Sequence, residues 1–362
     1  MNEERLHRIL LEVKADYDAT SFLDKFRAVR DNLQNQVSQP QQPVYQQNLV
    51  VALQALYETL DKSKINDFSP GWTQIINEIG GDNIFGISLK NTVEEIFSSN
   101  QITPAAALQD ITELVSKSEN FKVAIDNLIN AYSNLKIGAE ELENGECELG
   151  YTIPRLFVKN KLNSLNKEIS ELNFIITTLS EAVTGEKDEF EVKTISSSDF
   201  LVYVLVGLHF GKVMSEIVEK IIDNYKKILE IKKLRNELQT HGVPAKETKG
   251  IEQHANSLME HEIEKLVKAL MSKYPKKDAP RKNELTNGVT IALNKVANRI
   301  DNGFNIEIRV KELTPVEEEN ESVEESTNAE YVKAIKANMK GMEFIKTSGE
   351  PILKLPESQE GK

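Results

Sequence analysis

Apolar positions recur at helical spacing through the first third of the chain and then change period. Residues 1–33 read as one or two amphipathic helices carrying Leu6, Ile9, Leu10 and Val13, then Phe22, Leu23 and Phe26. The period fails over 34–48, "QNQVSQPQQPVYQQN", and this Gln- and Pro-rich composition predicts a loop or semi-rigid spacer. Residues 49–140 return to helices with clear punctuation. Ser69 before Pro70 and Thr103 before Pro104 each pair a capping residue with a first-turn proline. Further helices are expected from Leu49 to Leu60 and from Phe121 to Leu135.

Beyond residue 140 the apolar positions alternate. Cys147, Leu149, Tyr151 and Ile153 form one period-two row, Phe190, Val192 and Thr194 a second, and Phe304, Ile306, Ile308 and Val310 a third. The run Phe200–Val206 makes a fourth strand. Each is too short to stand alone, so one small shared sheet is the economical inference. Helices are expected around it at 162–183, 213–240, 251–272 and 284–302, and a last one near Tyr331–Met342. The expected fold is therefore mainly α of the α+β kind: a helical bundle with a central antiparallel helix pair and a small antiparallel β-sheet. Residues 141–310 form its central helix–hairpin–helix region. An acidic linker (311–330) and a C-terminal helix with a tail (331–362) follow.

In the first central helix Leu162, Leu165, Ile169, Leu172, Ile176, Leu179 and Val183 are spaced 3 and 4 residues apart in turn, an unbroken heptad seam. That seam fits self-association into a homo-oligomer. It also fits an intramolecular bundle, since the flanking positions hold almost no charge and Phe174 and Ile175 widen the stripe. The simplest internal partner is the 213–240 helix, antiparallel, with the strand hairpin at the turn-round. The tail carries its own short apolar motif, Pro351, Ile352, Leu353 and Leu355, which predicts a strand docking on a sheet edge of this chain or of a partner.

Phe200, Leu201, Val202, Tyr203, Val204, Leu205 and Val206 are apolar on both faces of the expected strand, so the strand must be covered twice or exposed on purpose. Its place between two helices resembles, in layout over about residues 155–240, the α-helical pore-forming toxins of the haemolysin E type. Those toxins carry a hydrophobic β-tongue between long helices, and the resemblance implies a membrane-inserting hairpin. The strands elsewhere that could pair with it favour burial.

Charge and composition narrow the rest. The net charge is −13, and eight acidic residues without a Lys or Arg lie between Glu312 and Glu330; taking those eight from −13 leaves −5 for the remainder. A mildly acidic body argues against broad nucleic-acid binding. The single Cys147 excludes an internal disulfide and fits a reducing, cytoplasmic home. The charged N-terminal stretch has no apolar signal core, and no run reaches the roughly 18 uncharged apolar residues of a spanning helix.

Candidate chemistry is thin. His254 and His261 share a helix face but stand about 10 Å apart along it, too far to hold one metal. Phosphate-cradling glycine motifs are absent. Glu191-Val192-Lys193 is an acid-x-lysine on a strand, an arrangement some metal-dependent nucleases use, with Asp188 as the nearest second acid. No catalytic, cofactor or metal residues are assigned. The expectation is a non-enzymatic cytoplasmic scaffold, adaptor or sensor with a protein partner; a membrane-active protein and an unfamiliar nuclease are the alternatives.

Overall fold

The computed structural model describes residues 2–143, 145–196, 200–244, 246–311, 323–340, 342, 344–347 and 349–358. The chain divides into two units between Glu141 and Leu142, each with its own hydrophobic core.

The first unit is wholly helical. Asn2 caps α1 (Glu3–Thr20) by accepting from the Glu4 amide, and Ser21, in the left-handed region, turns the chain into α2 (Phe22–Ser38). Pro43 opens α3 (Pro43–Leu60) and Ser69 caps α4 (Pro70–Ile76); α5 (Gly86–Ser99) and α6 (Pro104–Leu135) complete the unit. The spacer expected over 34–48 is overturned: α2 runs to Ser38 and α3 starts at Pro43, leaving only 39–42 between them. Pro43 falls at the first helical position, where its missing N–H costs nothing, so it starts a helix there. The helix expected from Phe121 is the second half of α6. Buried Asp16 accepts from Ser63 Oγ and the Lys64 amide, tying α1 to the chain after α3. The Arg5–Glu140 ion pair, at 2.7 Å, ties α1 to the chain after α6.

The second unit builds helices around a four-stranded antiparallel sheet in the order β2-β3-β1-β4. The strands are β1 (Cys147–Ile153), β2 (Val192–Ser196), β3 (Phe200–Val206) and β4 (Asn305–Val310), three of them at the alternating rows and β3 at the continuous apolar run. Leu149, Tyr151, Val202, Val204, Ile306 and Ile308 share the face that joins the helical core. On the opposite face Gly150 sits between Tyr203 and Glu307 in register. A Cβ at Gly150 would come within 2.6 Å of the Tyr203 ring. The glycine thus lets the ring cross β1, so that Tyr203 Oη donates to Glu307 on β4 at 2.7 Å.

Around the sheet lie α7 (Arg155–Val158), α8 (Leu162–Thr184), α9 (Leu208–Thr240), α10 (Lys249–Ser272), α11 (Ala279–Asp301) and α12 (Val323–Met339). Helix α9 is central, touching α8, α10, α11, α12, β1 and β4. Antiparallel packing is explicit in the bonded pairs. Arg299–Glu168, Lys295–Glu171 and Arg281–Glu181 run up α8 while running down α11. Arg235–Glu252 and Gln239–Thr248 join α9 to α10 in the same sense. The main partner of α8 is therefore α11, with α9 a lesser one, because the strand pair follows β1 into the sheet instead of capping an α8–α9 hairpin. Of the acidic linker, 312–322 lies outside the described residues, as does the expected turn at 197–199; Val323–Glu330 is the first part of α12.

Candidate functional site: a groove that holds the tail

The residues singled out in the sequence have separate fates. Strand β3 is interior to the sheet, paired to β2 and β1. Val202, Tyr203, Val204 and Val206 are buried, and Phe200, Leu201 and Leu205 are half-buried. The condition for a bare, membrane-inserting hairpin is not met, and no described helix is long and apolar enough to cross a membrane. The α8 seam splits in two. Leu172, Ile176, Leu179 and Val183 are core; Leu165 is half-buried, while Leu162 at 79% and Ile169 at 38% remain exposed. His254 and His261 are both exposed. The Cys147 thiol is buried, which pushes its pKa up and keeps it unreactive. Lys193 pairs with Glu146 at 3.4 Å, Asp188 accepts from Ser180 Oγ, and the described residues hold no cluster fit for a metal.

The tail motif is where the structure concentrates polar contacts. Residues 350–357 run extended across α9, α10 and α11, and side chains, not a sheet edge, hold their backbone. Ile352, Leu353 and Leu355 join the helical core, Pro351 is half-buried, and Lys354 points outward.

The contacts follow the segment in order. Arg235 on α9 donates to the carbonyls of Glu350 and Pro351, its guanidinium steadied by Asn236 and Glu252. Asp301, the last residue of α11, accepts from the amides of Ile352 and Leu353, each at 2.6 Å, on one carboxylate oxygen. Its other oxygen accepts from Tyr225 Oη at 2.6 Å and Lys232 Nζ at 2.8 Å, and the Lys232–Asp301 pair is almost wholly sealed from solvent. Asn256 on α10 donates to the Ile352 carbonyl and accepts from the Lys354 amide. Asn298 on α11 donates to the Leu355 carbonyl and accepts from its amide, and Asn294, one turn earlier, donates to the Pro356 carbonyl. Nine backbone groups of the segment are met in this way.

The far end is fixed by charge. Glu357 accepts from Asn298 and Arg299, and Lys295 lies 3.6 Å away. Burial alone would raise the Glu357 carboxyl. The hydrogen bonds from Arg299 and Asn298, with the charges of Arg299 and Lys295, outweigh it and hold the group below the usual carboxylate range. Arg299 also pairs with buried Glu168 on α8, so the cation stays compensated.

Two recognition modes are thus combined. Asn256, Asn298, Asn294, Arg235 and Asp301 read backbone, which any extended chain offers. The pockets for Ile352, Leu353 and Leu355 and the basic site for Glu357 read side chains. The tail motif stands out in the sequence, but the residues that hold it do not. The one signal in the sequence is Asn294 and Asn298, one turn apart beside Leu293, Val296, Ala297 and Ile300, where buried amides need partners. Comparison of the chain with known family models, curated proteins and solved structures returned no match.

Proposed function

We propose that the protein is a non-enzymatic cytoplasmic interaction protein, a scaffold or adaptor, that acts by holding extended protein segments in the α9–α11 groove. The observation that carries this reading is the set of nine backbone groups of residues 350–357 met by side chains of three helices. Helical and strand packing normally satisfy backbone with backbone. A surface that instead spends buried amides and a carboxylate on the backbone of a separate segment has the chemistry of a peptide-recognition site.

The test is a tagged capture from native cells read by mass spectrometry, comparing the native chain with an Asn256→Ala, Asn298→Ala variant. The expected result is a set of proteins retained by the native chain and lost with the variant. An identical set for both, with folding intact by circular dichroism, overturns the reading.

A further inference from the structure

We propose that the groove takes, in trans, an extended segment of another protein with the pattern apolar–apolar–any–apolar–Pro–Glu, and that residues 352–357 are its competing ligand in cis. This inference rests on the reading of the groove as a peptide site and specifies what the site selects.

The resident segment supplies the template. Ile352, Leu353 and Leu355 are buried, so three positions demand apolar side chains, while Lys354 between them is exposed and makes only a solvent-screened pair with Glu252 at 3.5 Å, a weak requirement. Pro356 has no N–H to satisfy, and its carbonyl is used by Asn294. Glu357 meets Asn298, Arg299 and Lys295, which select a carboxylate and reject a basic residue. The direction of the chain is set as well. Asp301 can only accept and meets amides at 352 and 353, whereas Arg235 can only donate and meets carbonyls at 350 and 351.

The charged groups that line the groove keep partners without its occupant. Asp301 keeps Tyr225 and Lys232 when the tail amides leave, Arg235 keeps Asn236 and Glu252, and Arg299 keeps Glu168. The asparagine amides then turn to water. Every charge that reads the tail thus has a second partner inside the bundle, so vacating the groove strands no buried ion. The tail enters through Gly349, whose φ of +75° and missing Cβ pass close to Asn236. Ahead of it Lys346 and after it Glu350 are exposed. Tethering raises the local concentration of the tail to the millimolar range, so an outside segment competes at a disadvantage until the tail is released.

The experiment uses the full chain with a protease site inserted beside Lys346 and cut in the folded protein. A fluorescent peptide of residues 349–358 is then added and its anisotropy followed. The cut chain is expected to keep its helicity, exchange its tail for the peptide, and bind at least 10-fold more tightly than the uncut chain. In the peptide, Leu353→Asp or Leu355→Asp is expected to weaken binding at least 100-fold, Glu357→Lys about 10-fold or more, and Lys354→Ala less than 2-fold. Loss of helicity on cutting, or failure of the peptide to exchange, overturns the proposal by making the tail a fixed part of the fold. Equal binding of all peptide variants overturns the pattern while leaving a peptide site. A dimer of the uncut chain by light scattering that dissociates on cutting assigns the groove to a second copy and overturns the outside partner. A tail that never exchanges overturns the functional reading as well, whereas failure of the pattern alone leaves that reading to the Asn256, Asn298 capture result.

Discussion

At the scale of single residues, the molecule turns on polar groups whose partners lie far away in sequence. Asn298 and Leu355 are 57 positions apart, and each meets the other through both donor and acceptor. Replacing Asn298 by Ala leaves that amide and carbonyl unmet, and the expected cost to tail docking is about 1–3 kcal/mol. Hydrogen exchange of the Leu355 amide should speed up accordingly, with a smaller change in the global unfolding midpoint; unchanged exchange would contradict the assignment. Glu357 gives a pH dependence. Its folded-state value is held below the ordinary carboxylate value of 4.5, so its contribution is complete above that pH and lost as pH falls through the lower, folded-state value. Tail amide protection should therefore decline in acid, and Glu357→Gln should remove that part of the decline. Gly150 is a third case. Gly150→Ala drives a methyl into the Tyr203 ring and is expected to destabilise the second unit by about 1–3 kcal/mol, read by denaturant unfolding. The sequence shows Gly150 only as a break in a strand. Which ring crosses it depends on the register of β3, which alternation alone does not set.

At the scale of elements, period was a sound guide and partner choice was not. Three of the four strands appear where residues alternate, because a half-buried sheet imposes a period of two on its own sequence, while β3, interior to the sheet, is apolar on both faces. The prolines and glutamines of 34–48 have the composition of a spacer, yet Pro43 is compatible with a first turn and glutamine with a helix interior. On α8 the heptad spacing is real, yet burial follows the line facing α11, adding Glu168, Ile175 and Ala182 and leaving Leu162 outside. Spacing reports that a helix has an apolar face, not which neighbour meets it. The difference is measurable. Leu179→Ala should cost about 2–5 kcal/mol, while Leu162→Lys should stay within about 0.5 kcal/mol in the same thermal or denaturant assay. A matching large loss for Leu162→Lys, accompanied by a change in molecular mass, would instead place the seam in a homo-oligomer.

At the scale of the whole molecule, two cores that share no residue predict two folding units. A fragment beginning at Leu142 is expected to unfold in one cooperative transition with its tail amides protected; non-cooperative melting would show that the division is only geometric. The change from helical to alternating period just past residue 140 marks this division in the sequence, whereas the groove left almost no mark there. Its residues come from three helices and a tail, and only the tail is apolar enough to stand out. The order of these parts along the chain has a consequence in time. Ile352 is synthesised 51 residues after Asp301, a lag of roughly 3–10 s at typical rates of translation. The helices that form the groove are thus complete before their own ligand exists. On the proposed reading of the groove as a peptide site, that interval gives an extended segment of another chain its first opportunity to fill the groove before the tail does.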